Sequence, residues 1–192
     1  MKLTRDDLYS LEEYAGKRTD FRSRIVEHKK TRRVPVGAHI TLHFEDRLTM
    51  QYQIQEMLRA ERIFEADGIQ EELDTYNELI PTGSNWKSTM MVEYDNVEER
   101  REALVRLRGV ENAVSIRVGE HDKVRAIADE DLERQNANKT SAVHFLRFEL
   151  SPEMIAAAKA GAGVTVRIEH PDYGYKNELS PAIRDSLVRD LH

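Results

Sequence analysis

The stretch from residue 43 to residue 65 places metal-binding side chains among the apolar residues of a core. It reads HFEDRLTMQYQIQEMLRAERIFE and holds five acidic residues, three glutamines and one histidine. Histidine and carboxylate side chains together suit iron, manganese or zinc. The candidate ligands for such a divalent metal are His43, Glu45, Glu56 and Glu61, with His144 from a later strand.

The same stretch also carries arginines that could neutralise its acids. Arg47, Arg59 and Arg62 lie within helical reach of the glutamates, so a structural network of Glu, Arg and Gln is the first interpretation. A metal or small-ligand site is the second interpretation, and a metal-independent Glu/His acid–base pair is the third. No His-Glu-x-x-His or Glu-x-x-His motif supports the metal. Whether the chain is an enzyme stays open, and we favour a non-enzymatic protein.

The segment VHFLRFEL, residues 143–150, predicts a strand with polar groups on both faces. His144 alternates with apolar residues on one face, whereas Arg147 and Glu149 occupy the other. A buried imidazole needs hydrogen-bond partners or a metal. His144 is therefore either a core histidine with satisfied hydrogen bonds or a metal ligand.

Hydrophobic periodicity, cap residues and glycines predict the elements that must position these groups. The predicted helices are 4–15, 46–67, 70–79, 96–108, 152–160 and one that opens after Glu178–Pro181, with a basic segment at 17–30 and a short acidic helix from Asp129. The predicted strands are 38–45, 89–94, 114–118, 124–127, 142–150 and 164–170.

This order of elements predicts a single α+β domain over residues 1–192. We expect one mixed or antiparallel sheet of about six strands with helices mainly on one face. Residues 1–80 would form a helix-rich part with one strand. Residues 81–192 would contain two strand–helix–strand units and the C-terminal helix.

Composition narrows the class of protein. The 192 residues include no cysteine, which excludes disulfides, cysteine-bound zinc and an iron–sulfur cluster held by this chain. The net charge of −6 makes nucleic-acid binding an unfavoured function. No apolar run approaches the roughly 20 residues that span a membrane, and no signal peptide is recognisable. We therefore expect a cytoplasmic protein with no membrane partner, and for a chain of this size we favour a homodimer.

One segment departs from the acidic average. Residues 17–33 hold eight lysines and arginines against two acids, a local charge of +6. The segment could lie over the protein's own acidic helix, or it could dock an acidic protein partner. The candidate partner-binding residues are Arg22, Arg24, Lys29, Lys30, Arg32 and Arg33.

Long segments of the chain resemble one uncharacterised bacterial family. They are the start LTRDDLYSLEEY, the stretch HITLHFEDRLTMQYQIQEMLRAERIFE, and the segments IQEELDTYNELIPTGSNWKSTMMVEYDNVEERREAL and IADEDLERQNANKTSAVHFLRFEL. The family is the domain-of-unknown-function family numbered thirty-five-oh-one. The resemblance brings no catalytic residues. It implies genes encoded near rubrerythrin-like and iron–sulfur oxidoreductase-type genes, and hence an accessory protein of iron or oxidative-stress metabolism, with a rubrerythrin-like or electron-transfer protein as the acidic partner.

Overall fold

The structure, a computed structural model, describes residues 2–130 and 139–192. The helices are α1 (Leu11–Lys29), α2 (Arg47–Glu61), α3 (Ala66–Asn77), α4 (Val97–Arg106), α5 (Pro152–Lys159) and α6 (Pro181–Val188), with short 3-10 turns at Arg5–Asp7 and Val110–Ala113. The strands are β1 (Arg33–Pro35), β2 (Ile40–Phe44), β3 (Asn85–Val92), β4 (Val114–Val118), β5 (Val124–Arg125), β6 (Ile127–Ala128), β7 (Val143–Glu149), β8 (Val164–His170) and β9 (Tyr173–Glu178).

The strands form two antiparallel sheets, which confirms the α+β class and corrects the single six-stranded sheet. Sheet one has the order β1-β2-β3-β7-β6, and sheet two has the order β5-β4-β8-β9. The predicted strand 124–127 changes sheet at Ala126, because β5 pairs with β4 and β6 pairs with β7. Strands β1 and β9 were not predicted, because they are rich in polar, glycine or proline residues.

Alternating side chains build the main core between the two sheets. Leu42, Met90 and Phe148 of sheet one share one buried cluster with Ile116 and Val166 of sheet two. The odd and even positions of each strand point to opposite faces, so most polar positions of these strands lie on the outer faces of the sheets. His144 is an exception, because it pairs with Met90 on the core face. Those outer faces are therefore where a binding site can form.

The helix-rich N-terminal part packs through two smaller apolar clusters. One joins α2 and α3 through residues such as Ile54, Leu58 and Leu73, and the other joins α1 to α2 around Tyr14 and Phe21. Within the described residues, no helix is both long and apolar enough to cross a membrane.

Helix α2 is shorter than its hydrophobic pattern predicts. Asp46 caps its start by accepting the Thr49 amide at 2.8 Å. The helix ends because Arg62 adopts a left-handed conformation with φ 57°, and Phe64 beyond it is 68% exposed rather than buried. The short acidic helix predicted from Asp129 lies mostly within residues 131–138, which are outside the described ranges.

Candidate functional site

The two histidines of the predicted metal site lie on opposite faces of sheet one. His43 pairs across the strands with Thr89, which pairs with Phe145, so these three residues share the outer face. His144 pairs with Met90, opposite Leu42, on the buried inner face. One metal ion cannot bind both imidazoles.

Glu45 is held by hydroxyl groups. Its carboxylate accepts from Thr49 Oγ1 at 2.7 Å and from Thr89 Oγ1 at 2.8 Å, and the residue is buried. Each oxygen therefore already has a donor. Glu45 links the start of α2 to the centre of sheet one.

His43 is next to Glu45 on the outer face, but its side chain does not share the hydrogen bonds that hold Glu45. Its Nε2 atom is buried and has no hydrogen-bond partner within the described part of the chain. Burial lowers the pKa of His43, Arg33 and Lys29 lower it further, and Glu93 opposes them. The imidazole is therefore neutral at pH 7.

Glu56 and Glu61 lie apart from these groups on α2. Arg18 binds both Glu56 oxygens, with Nε–Oε1 and Nη2–Oε2 distances of 2.7 Å, and the Tyr14 hydroxyl donates at 2.8 Å. The Arg18 hydrogen bond, with Tyr14 assisting, lowers the pKa of Glu56 to about 2. Glu61 is exposed at the end of the helix. Across residues 2–130 and 139–192, no three His, Asp or Glu side chains are grouped so that they could hold a metal ion.

His144 belongs to a buried chain of hydrogen bonds. Its Nδ1 atom lies 2.5 Å from Asp129 Oδ2, and its Nε2 atom lies 2.8 Å from Thr140 Oγ1. The Thr140 hydroxyl donates to Glu111 Oε2 at 3.1 Å. Since a hydroxyl has one proton to give, Thr140 accepts from His144 while it donates to Glu111. This arrangement fits a core histidine with both nitrogens satisfied.

Arg32 is an internal residue and not part of a docking face, which corrects its inclusion among the partner-binding residues. It is 2% exposed, and its guanidinium donates to the carbonyl oxygens of Phe44 at 3.1 Å and Glu45 at 3.2 Å. It also pairs with Asp190 and, at 3.3 Å, with Asp46. The backbone turn after α1 places the Arg32 side chain against the C-terminal helix α6.

The other candidate partner-binding residues do not form one patch. Arg22 and Arg24 are exposed but lie about 200° apart around α1, on its two flanks. Arg24 covers the Phe21 ring, with 4.8 Å between guanidinium carbon and ring centre, and Lys29 lies 5.9 Å from the Tyr52 ring centre. Lys30 pairs with Glu27 at 2.5 Å, and Arg33 lies 3.8 Å from Glu93.

A cleft that the sequence analysis did not identify opens on the outer face of sheet one. We call it the α3 cleft, because the end of α3 forms one wall and strands β3 and β7 form the other. Its volume is about 690 Å³. It is lined by Thr75, Tyr76, Glu78, Leu79, Lys87, Glu130, Phe145, Leu146 and Arg147.

Two cations face each other across the strands in the α3 cleft. Lys87 and Arg147 are direct partners in the β3–β7 pair. Glu130 binds Arg147 through two bonds of 2.8 Å, and Glu149 also pairs with it. Lys87 Nζ donates to the Glu78 carbonyl oxygen at 2.5 Å. Burial lowers the pKa of Lys87, an effect that Glu78 opposes and Arg147 reinforces.

The signal for this cleft was present in the sequence. Arg147 and Glu149 stand out on a strand whose only other polar residue is His144, but nothing in the spacing shows that Lys87 lies opposite Arg147. That pairing depends on the register between strands that are far apart in the chain. Phe145 and the end of α3 are brought together in the same way.

Comparisons with known proteins identify the family and leave its activity open. Residues 2–191 match the family model described as "Protein of unknown function (DUF3501)". No curated protein matches the chain. A crystal structure of a novel protein of unknown function from Burkholderia pseudomallei K96243 is similar over 100% of both chains, with 51% sequence identity and a TM-score of 0.96. The chain therefore belongs to the DUF3501 family, as its sequence resemblance indicated.

Proposed function

We propose that the chain binds a small organic anion with an apolar body in the α3 cleft. The sequence predicted a site for a metal or a small ligand, and this proposal retains the small ligand. The metal half is not proposed, because its five candidate ligands are spread over two faces of a sheet and a helix.

The observation that carries the proposal is the half-buried ammonium of Lys87, which lies in the cleft beside Arg147. An ammonium has three donors, and among the described residues only the Glu78 carbonyl accepts from it. Its carboxylate neighbours in the cleft are occupied elsewhere, since Glu130 is bound to Arg147 and Glu78 is bound to Lys2. A half-buried cation with free donors is stabilised by an anion.

The apolar lining supports an organic ligand over an inorganic ion. Phe145 comes from β7, and Tyr76 and Leu79 come from the end of α3. Ligand pockets usually measure about 300–1,000 Å³ and combine an apolar surface with a few polar groups. The α3 cleft, at about 690 Å³, has this size and composition.

Two other interpretations remain predictions. Docking of an acidic partner by the basic segment would need residues that lie on both flanks of α1. An accessory role in iron or oxidative-stress metabolism rests on the family resemblance, and binding of a small anion is compatible with it.

Anilinonaphthalene sulfonate, an aromatic anion whose fluorescence rises in apolar sites, is a direct probe. We expect saturable binding to the folded wild-type protein and competition by octanoate. Lys87→Met keeps the aliphatic stem and removes the charge. Since hydrogen bonds to charged groups contribute about 1.5–3 kcal/mol, this variant should bind about tenfold or more weakly.

The matched control is Lys159→Met, which removes one exposed lysine from α5 on another part of the molecule. Its affinity should equal that of the wild type. Equal affinity of the Lys87→Met variant, with both variants folded by circular dichroism, would overturn the proposal. Binding that does not saturate would do so too.

A further inference from the structure

The outer face of sheet two carries a row of cations that the α3 cleft does not explain. Arg125 of β5 pairs with Ser115 of β4, Ser115 pairs with Arg167 of β8, and Arg167 pairs with Lys176 of β9. Directly paired residues share a face, so three cations and a small serine form one line across all four strands. We call this line the cationic row.

Two of the three cations of the row line a second cleft, and Arg125 lies beside it, paired with Ser115. Ser115, Arg167 and Lys176 line a depression of about 780 Å³, together with Thr165 and the turn at residues 119–122. Ser115 is buried at its floor, and the longer side chains stand around it. The floor of the depression therefore includes Ser115, which lies between its strand partners Arg125 and Arg167.

Four acids line the same depression, namely Glu120, Asp122, Glu169 and Glu178. They are shared with Arg117 and Lys123, so these two cations and the three of the row exceed them by one. Glu169 is paired with Lys123 and lies 3.8 Å from Arg167. The hydrogen bond from Lys123 lowers the pKa of Glu169 most, and the charges of Arg167 and Arg125 lower it further. One carboxylate therefore interacts with three cations. Glu178 lies one row away, in line with Thr165 and Arg117. Arg117 is bound to Glu120 at 3.2 Å.

Like charges in direct cross-strand pairs destabilise a sheet. Arg167 and Lys176 are such a pair, and neither makes an ion pair of 3.5 Å or less within the described part of the chain. Folding alone gives no reason for this arrangement. A bound anion does, because it converts the repulsion into two charge-assisted contacts.

We propose that the cationic row binds a small molecule with two or more adjacent phosphate groups. Strands lie about 4.8 Å apart, so Arg167 and Lys176 are separated by one strand spacing and Arg125 and Arg167 by two. One phosphate group cannot reach all three cations, whereas a chain of phosphates can. The hydroxyl groups of Ser115 and Thr165 are additional donors in the cleft.

A small ligand fits better than a nucleic acid. The row ends at both sheet edges and spans about 14 Å, or three strand spacings. The chain as a whole carries a net charge of −6, which repels an extended polyanion.

The test is calorimetric titration of the full chain with tripolyphosphate at low ionic strength, with inorganic phosphate and a single-stranded DNA oligomer as separate titrants. We expect saturable binding of tripolyphosphate, at least tenfold weaker binding of phosphate, and no tighter binding of DNA. The double variant R167Q/K176Q should lose at least tenfold in affinity. The control R106Q/K159Q removes two exposed cations elsewhere and should bind within twofold of the wild type.

Thermal stability separates a binding role from a structural one. Without tripolyphosphate, R167Q/K176Q should melt at the wild-type temperature or above it, because a repulsion is gone. With tripolyphosphate, only the wild type and the control should gain stability. The proposal is wrong if the wild type does not bind tripolyphosphate, if DNA binds more tightly, or if both double variants lose affinity equally. The Lys87→Met variant should bind tripolyphosphate normally, so this result is independent of the α3 cleft.

Discussion

At the scale of single residues, the structure sorts the candidate ligands by how well their hydrogen bonds are satisfied. Glu45, Glu56 and His144 each have partners on both of their polar atoms. His43 and Lys87 have fewer partners than they can use. Residue type and spacing selected His43 together with the first group and did not indicate Lys87, so the shortage of partners is the better guide.

Glu56 provides a test of this distinction through pH. Its pKa falls from 4.5 to about 2 on folding, mainly through the Arg18 hydrogen bond. A lowered carboxyl pKa stabilises the fold above pH 4.5, and this stabilisation is lost as the pH falls to about 2. Glu56→Gln should cost about 1 kcal/mol at neutral pH, since the pair is partly exposed.

Urea denaturation of the wild type and the Glu56→Gln variant across this pH range measures the effect. The difference between the two should shrink towards zero as the pH falls. A difference that does not depend on pH would mean that Glu56 acts through packing alone.

Lys87 makes a second prediction about pH, this time for binding. Burial lowers its pKa below the usual 10.5, so it loses its proton earlier than an exposed lysine as the pH rises. Affinity for anilinonaphthalene sulfonate should fall as the pH rises and Lys87 loses its proton. Lys87→Arg should keep its affinity at about pH 10, because a guanidinium stays charged there. A parallel loss in both proteins would show that another group titrates.

At the scale of elements, local signals predicted most helices and failed where a strand depends on its neighbours. Caps such as Asp46, Ser151 and Ser180 mark helix starts, and each accepts the expected amide hydrogen bond. Strand β9 reads YGYKNE and has no alternating apolar pattern. It forms a strand because its backbone pairs with β8, and because Tyr173 and Asn177 hydrogen-bond to the β1–β2 hairpin.

Tyr173 ties the edges of the two sheets together. Its oxygen accepts from the amides of His39 at 2.9 Å and Ile40 at 3.0 Å, and its hydroxyl donates to the Val36 carbonyl at 2.8 Å. Tyr173→Phe should cost about 1–3 kcal/mol for each buried group left without a partner. Tyr175→Phe is the control, because that ring is 48% exposed.

Thermal melting of the two variants decides this prediction. The Tyr173→Phe protein should melt several degrees lower, and the Tyr175→Phe protein should match the wild type. Similar melting temperatures would mean that water replaces the hydroxyl at the hairpin. Gly37→Ala should resemble Tyr173→Phe, since φ is +79° and the added carbon would lie 2.6 Å from the Tyr173 oxygen.

At the scale of the whole molecule, the helix-rich N-terminal part depends on the rest of the chain. Strand β2 is paired with β3 over its full length. Arg32 reaches across to Ser186 and Asp190 near the C-terminus. Residues 1–80 therefore contain two strands that have no sheet of their own, which limits what the helical pattern alone could predict.

A fragment of residues 1–80 should not fold independently. It would leave Ile40, Leu42 and Phe44 without the core that buries them. We expect low amide dispersion in its NMR spectrum and no cooperative melt, whereas the full chain should unfold in one transition. A cooperative transition of the fragment would instead indicate two domains.

At Ala126 the chain passes from sheet two into sheet one. This crossing fixes the register of the short strands β5 and β6 in both sheets. A two-residue strand alone could slip by one position, and such a slip would turn its side chains to the opposite face. Here Arg125 is fixed opposite Ser115 on one side of Ala126, and Ile127 is fixed opposite Arg147 on the other. Neither short strand can shift unless the other shifts with it. The position of Arg125 beside one cleft and that of Glu130 in the other are thus set by the same few residues.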